Sequence, residues 1–196
     1  MSRALSREEA WSLFCEWTES PSLRKHVLAV EAAMRAYARR FGEDEALWGV
    51  VGLLHDLDYE RHPDLETGHP RLAMAELERL DQPSEIIRAI ASHADYLGVS
   101  RESAMEKTLY AVDELSGFLM ACAYVRPQGI HGLGAKSVRK KLGQASFAAA
   151  VDRNELRHAA DALDIDFDEH VGFVIDALTR EADVLELNGR QPAAAG

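Results

Sequence analysis

Several residue types are scarce in this sequence, and each scarcity argues against a class of protein. Only two cysteines occur among 196 residues, so a disulfide framework is not expected and a reducing compartment fits. No apolar run approaches the roughly 20 residues that span a bilayer, and the first residues lack the apolar stretch of a signal peptide. These observations predict a cytoplasmic protein with no membrane partner.

Positive charge is also scarce. The 22 Lys and Arg residues are outnumbered by 33 Asp and Glu, which gives a formal net charge of −11. Binding to a nucleic-acid backbone relies on Lys and Arg, so we expect no nucleic-acid duplex as a partner. A small anionic substrate remains compatible with this charge, because a bound metal ion would invert the local field.

Most of the sequence has the periodicity of α-helices, and no convincing pair of strands is indicated. Ser6 has capping-box spacing to Glu9, Ser22 is a predicted cap for a second helix, and Asp44 for a third. Further helices are predicted from His69-Pro70, Pro83-Ser84, Ser100 or Glu102, Asn154, and Asp166 to about Leu187. The predicted fold class is all-α, a single helical bundle over residues 1–187 with a metal site in its core, followed by a disordered tail over 188–196.

One stretch, Gly52 to Tyr59, combines apolar residues with potential metal ligands. His55 and Asp56 are adjacent at the end of the apolar third helix, and Asp58 follows. An ionised carboxylate that is buried loses its hydration, which costs much free energy unless a partner compensates. Imidazole nitrogen and carboxylate oxygen both bind divalent cations. The stretch therefore predicts a metal centre near a helix end, where two neighbouring residues can reach one ion.

Other histidines and one acid on separate predicted helices or helix ends could complete this centre. The candidate ligands are His26, His55, Asp56, His69, His93 and Asp113. Nitrogen and oxygen ligands favour one or two divalent ions of Fe, Mn, Co, Ni, Zn or Mg over softer metals. Asp56 could bridge two ions, the second of which would be completed by His69 and His93.

Two of these histidines also allow simpler interpretations. His69 could only mark a helix boundary, and His93 could only cap its helix, where a cation suits the helix dipole. The four other histidines have no ligand-type partner at helical spacing and are expected at the surface: His62, His131, His158 and His170.

The order of these residues resembles the HD superfamily of metal-dependent phosphohydrolases. The matching pattern is a lone histidine, the His-Asp doublet and a later aspartate: His26, His55, Asp56 and Asp113. The intervening His69 and His93 look like the extra pair of dinuclear members. The sequence looks closer still to the small bacterial predicted HD-superfamily hydrolases, and the similarity extends over about 6–187. The stretches that carry it are 23–26, 52–59, 113–117 and 136–142.

The resemblance implies an HD domain over 1–187 that hydrolyses a phosphomonoester or phosphodiester of a small metabolite or nucleotide with metal-activated water. Asp56 would then be catalytic. Asp58 is a candidate for proton handling, with capping of the helix-end loop as the alternative. Candidate substrate-binding residues, which would supply local positive charge for the phosphate, are Arg24, Lys25, Lys136, Ser137 and Lys140. For the basic run from Lys136 the alternative is a solvated helix face.

The sequence departs from two branches of the superfamily. The Gly-Tyr-Pro signature of the HD-GYP branch is absent, so a cyclic di-GMP role is not expected. Tyr59 stands where the inositol-oxygenase branch has lysine. Two alternative functions stay open beside the phosphohydrolase: a di-iron oxygenase on the same scaffold, and a non-catalytic, metal-stabilised module that senses a nucleotide.

Overall fold

The computed structural model describes residues 3–149 and 151–190. Within these residues the chain forms nine α-helices and no strand, which confirms the predicted all-α class. The helices are α1 (Arg7–Trp17), α2 (Pro21–Phe41), α3 (Glu45–Leu54), α4 (Arg71–Arg79), α5 (Ser84–His93), α6 (Ala104–Tyr124), α7 (Ala135–Leu142), α8 (Arg153–Ala162) and α9 (Phe167–Arg180). None of the described helices combines the length and apolar character that a bilayer crossing requires.

The helices form two compact units. The first unit runs to Tyr110 and the second begins at Ala111, so the boundary falls within α6. Helices α1 to α5 belong to the first unit, and α7 to α9 belong to the second. The assignment of residues 1–187 to one domain stays a prediction, since α6 is shared by both units.

Side-chain caps set most helix starts, as the sequence predicts. In α1, the Ser6 hydroxyl accepts the Glu9 N–H at 3.2 Å and the Glu9 carboxylate accepts the Ser6 N–H at 2.7 Å. The cap of α2 is Ser20 rather than the predicted Ser22. Pro21 explains why the helix starts earlier. Proline lacks an N–H, and N–H groups in the first helical turn have no intrahelical partner, so proline fits there.

Helix α3 is apolar around most of its surface and packs mainly against α2, with further contacts to α1 and α5. Gly52 lies at the closest approach of α2 and α3. A Cβ at Gly52 would lie 2.8 Å from the Cα and 2.9 Å from the backbone nitrogen of Glu31. Only glycine permits this backbone contact, which brings the end of α3 beside α2.

An ion pair between a half-exposed arginine and a buried glutamate fastens α1 to the same part of α2. The Glu31 carboxylate, which is almost fully buried, accepts two hydrogen bonds from the Arg7 guanidinium, at 2.6 and 2.9 Å. The two-bond geometry compensates the desolvation of the carboxylate. Helices α1 and α3 are thus both fixed to α2 within one helical turn.

In the second unit, His170 is fully buried on α9, so its predicted surface position is wrong. Its Nε2 lies 2.9 Å from the carbonyl oxygen of Ala111. His170 shares one helical stripe with Val174 and Ala177, both buried, and this periodicity is typical of a core position.

The end of the described chain pairs with the turn that follows α6. The Ile130 N–H donates to the Leu187 carbonyl at 2.8 Å, and the Arg190 N–H donates to the Pro127 carbonyl at 3.0 Å. Residues 188–190 of the predicted disordered tail are therefore held by hydrogen bonds. The rest of that predicted tail, 191–196, lies outside the described residues.

Candidate metal centre

Five of the six predicted ligands converge in the first unit. The ligand atoms of His26, His55 and Asp56 lie within 4.8 Å of one another, and so do those of Asp56, His69 and His93. His26 lies on α2, His55 and Asp56 follow α3, His69 precedes α4, and His93 is the last residue of α5. The ends of several helices therefore meet at one point.

Asp56 lies at the centre of this cluster, with one carboxylate oxygen directed to each side. Its Oδ2 is 3.6 Å from His26 Nε2 and 3.5 Å from His55 Nε2. Its Oδ1 is 3.6 Å from His69 Nε2. The side chain is only 12% exposed. Asp56 thus has the arrangement of a carboxylate that bridges two cations.

Two of the histidines are held by backbone carbonyls of their own helices. The Nδ1 of His55 lies 2.9 Å from the carbonyl oxygen of Gly52, and the Nδ1 of His93 is hydrogen-bonded to the carbonyl oxygen of Ile90. A carbonyl oxygen can only accept, so we assign the proton to Nδ1 in both rings. Each Nε2 then directs a lone pair into the cluster, as a metal ligand must.

His69 is oriented by a buried carboxylate. Its Nδ1 lies 2.9 Å from Asp58 Oδ1, and the other oxygen of Asp58 accepts the Ala73 N–H at 2.8 Å. Asp58 is fully buried. When its Nδ1–H donates to Asp58, His69 also directs the lone pair of its Nε2 into the cluster.

These tautomers test whether the residues suit a metal ion. The Nε2 atoms of His69 and His93 lie 3.2 Å apart, and the assigned tautomers place a lone pair on each. Two lone pairs at this distance repel each other unless a positive charge lies near both. Three or more neutral imidazoles around one carboxylate are also a donor set typical of divalent transition metals. The residues present therefore fit a divalent cation.

Two further side chains hold the backbone of these ligands. The Tyr96 hydroxyl donates to the His69 carbonyl at 2.8 Å, and burial raises the pKa of this phenol to about 12, so it remains a donor at neutral pH. Arg101 donates to the Ser92 carbonyl at 2.7 Å, at the end of α5 where His93 lies. A cation at this end also suits the helix dipole.

Asp113, the sixth predicted ligand, lies in the middle of α6 beyond the boundary between the units, and its side chain is partly buried. Its role as a ligand stays a prediction.

The predicted substrate-binding residues lie in several places. The Arg24 guanidinium donates to the carbonyl of Thr18, at 3.0 and 2.6 Å, and to that of Cys15, at 3.2 Å, and so satisfies the end of α1. Lys25 is the next residue on α2 and is partly buried. Three candidates lie on α7 in the second unit, where their side chains are exposed: Lys136, Ser137 and Lys140. Their contacts with phosphate stay predictions.

A cavity of about 440 Å³ opens beside the cluster, within the first unit. Its lining residues are Ser20, Ser22, Leu23, His26, Tyr59, Glu60 and Pro63. Tyr59, which stands where the inositol-oxygenase branch has lysine, lies in this wall with its side chain exposed. Glu60 and the two serines were missed, and the only available signal was the nearness of Glu60 to the His-Asp doublet.

Comparison with known proteins identifies the segment that contains the cluster. Residues 23–116 match the family model described as the HD domain, and this segment includes all six predicted ligands. The match is shorter than the similarity over 6–187 stated above.

Two curated relatives, both named Ribonuclease Y, come from two strains of Thermus thermophilus. Each is 34% identical to this chain over 88 residues, which is 45% of this chain but 14% of the relative. The chain therefore matches about one seventh of the length of these relatives. No solved structure matches the chain significantly.

Proposed function

We propose that this chain hydrolyses a phosphate ester of a small metabolite or nucleotide, because residues 23–116 match the HD-domain family model, whose superfamily comprises metal-dependent phosphohydrolases. The observation that carries the proposal is the convergence of four histidines on the two oxygens of Asp56. Such a cluster can hold two divalent ions in one site.

The residues around the two sides of Asp56 have distinct tasks. His26, His55 and Asp56 would hold one ion, and Asp56, His69 and His93 would hold the other. The sequence adds Asp113 as a further ligand. When bound, the ions supply an activated water nucleophile and positive charge that stabilises the phosphoryl group in the transition state.

The chain contributes preorganisation to this chemistry. Backbone carbonyls fix the rings of His55 and His93, and Asp58 fixes His69, so the ligands are aligned before an ion or a substrate binds. One oxygen of Asp58 contacts His69 and the other accepts the Ala73 N–H, and this arrangement favours a positioning role for Asp58. Its sequence-based assignment to proton handling stays a prediction.

The test is hydrolysis by protein stripped of metal and reloaded with Mn, Co, Ni or Fe. We expect release of phosphate from p-nitrophenyl phosphate or from a panel of nucleotides and sugar phosphates. Asp56→Ala should lose all turnover while its far-UV circular dichroism stays native. The exposed Asp161→Ala on α8 serves as the matched control and should retain activity. No turnover with any ester and metal, or full activity of Asp56→Ala, would contradict the proposal.

A di-iron oxygenase is the second candidate, because a bridging carboxylate surrounded by imidazoles also suits two iron ions. Iron content near two per chain together with consumption of dioxygen, and no release of phosphate, would favour it. Tight binding of a nucleotide without turnover with any metal would instead favour a sensing module.

The name of the two relatives denotes RNA cleavage. This activity is tested separately in the same assay. With a net charge of −11, we expect no cleavage of a single-stranded RNA oligonucleotide under conditions that hydrolyse the small ester.

A further inference from the structure

The wall of the cavity beside His26 contains an acidic side chain, where the wall of a polyphosphate site would contain basic ones. Its lining residues include Glu60 but no lysine or arginine. The Glu60 carboxylate accepts the backbone N–H groups of Glu19 at 3.0 Å and Ser20 at 2.8 Å. These hydrogen bonds lower the pKa of Glu60, and the nearby positive charges of Arg61 and Arg24 lower it further, so the carboxylate is ionised at neutral pH and held in place.

The remaining walls of the cavity are apolar or carry hydroxyl groups. Leu23 and Pro63 line it, and the Tyr59 side chain, 45% exposed, offers a ring face. The Tyr59 ring meets the His69 ring edge to face, with 5.2 Å between centroids and 89° between planes. The Tyr59 ring, on which a substrate ring can stack, is therefore in direct contact with His69, a candidate metal ligand.

We propose that this cavity receives the alcohol portion of the substrate, and that this portion contains a ring and has no negative charge. The substrate class is then a phosphomonoester of a neutral, ring-bearing alcohol, whose hydroxyl groups can donate to Glu60 while its ring stacks on Tyr59. This inference rests on the proposed hydrolase function.

The reaction that follows from this placement is balanced by water alone. The oxygen of water forms a bond to phosphorus, and the bond from phosphorus to the alcohol oxygen breaks. The alcohol oxygen takes up a proton, and the products are inorganic phosphate and the neutral alcohol. The alcohol leaves through the open mouth of the cavity.

The experiment compares two esters that differ in one charged group, a nucleoside 5′-monophosphate and the corresponding nucleoside 3′,5′-bisphosphate. We expect kcat/KM to be at least about tenfold higher for the monophosphate at low ionic strength, because the extra phosphate would lie near Glu60. Added salt should bring the ratio of the two kcat/KM values closer to one, since it screens charges near the surface.

Variants separate the charge effect from the ring effect. Glu60→Gln should reduce the ratio between the two esters, whereas Glu66→Gln, an exposed neighbour outside the cavity lining, should preserve it. Tyr59→Ala should raise KM for the nucleoside ester more than for glycerol 3-phosphate, which has no ring. If Tyr59 had only a structural role, its replacement would change KM equally for both esters.

Different failures have different meanings. Turnover of both esters with the bisphosphate preferred, or with a ratio that Glu60→Gln leaves unchanged, would overturn this inference and leave the hydrolase intact. Absence of turnover with every ester and every metal would overturn the proposed function and this inference with it.

Discussion

Asp58→Asn is the substitution that probes the cluster most selectively, because Asp58 touches one ligand only. Its carboxylate is fully buried and accepts two hydrogen bonds, from His69 Nδ1 at 2.9 Å and from Ala73 N–H at 2.8 Å. An amide of the same size has one accepting oxygen and one donating NH₂ group. One of the two donors would therefore face another donor.

The magnitude follows from these two contacts. An unsatisfied buried donor costs about 1–3 kcal/mol, so the free energy of unfolding should fall by about that amount. If the amide turns its NH₂ group toward His69, the ring is driven to the other tautomer, with its proton on Nε2 inside the cluster. Loss of such a partner of a ligating histidine typically weakens metal binding by about 10–100-fold.

The assay is titration of metal-free protein with Co or Zn against a chromogenic chelator, which resolves the two binding steps. Asp58→Asn should weaken the ion on the side of His69 and His93 and leave the ion on the side of His26 and His55 within about threefold. Asp64→Asn is the matched control, since Asp64 also accepts N–H bonds in this loop but only from Glu66 and Thr67. If folded Asp58→Asn left both affinities unchanged, or weakened both equally, Asp58 would not act by orienting His69.

Three glycine substitutions and one cysteine substitution test backbone contacts and the pH dependence of stability. Gly52→Ala should lower thermal stability and metal affinity, because its Cβ would meet the α2 backbone, whereas Gly49→Ala meets only the flexible Arg35 side chain and should be near neutral in both measurements. Gly129→Ala should cost at least about 1 kcal/mol in chemical denaturation, since φ is +60° and the Cβ would meet backbone; an unchanged midpoint would contradict this. Burial raises the pKa of Cys122 to about 11, above the value of about 8.5 for a free thiol, so the unfolded state ionises first. Stability should therefore fall between about pH 8.5 and 11, and Cys122→Ala should remove that part of the decline in urea titrations at each pH.

Local rules were sufficient for most of the helices. The capping box at Ser6, the cap at Asp44 and the cap at Asp166 each depend on residues within three positions, and the structure has all of them. The cap of α2 differed because the rule allows two serines, and the geometry of Pro21 decides between them. The end of α9 at Arg180 also differed from the expected Leu187, since the buried residues Ala182 and Leu185 beyond it lie in turns rather than in helix.

The candidate centre was predictable in its composition but not in its supports. The His55-Asp56 doublet at the end of an apolar helix is a local signal, and the remaining ligands follow from residue type and order. The contact between Asp58 and His69 depends on the path of the intervening turns, which have no periodicity in the sequence. The charge of the cavity likewise depends on Glu60 reaching the backbone N–H groups of Glu19 and Ser20, some 40 residues away in the chain.

The central claim is that side chains from four separate elements hold divalent ions around Asp56. Its most direct test is the metal content, by inductively coupled plasma mass spectrometry, of protein purified without added metal. We expect two divalent ions per chain in the native sequence and in the Asp161→Ala control, and neither ion in folded Asp56→Ala. Native protein without stoichiometric metal that also binds none on titration, or Asp56→Ala with the same content as the native protein, would contradict it.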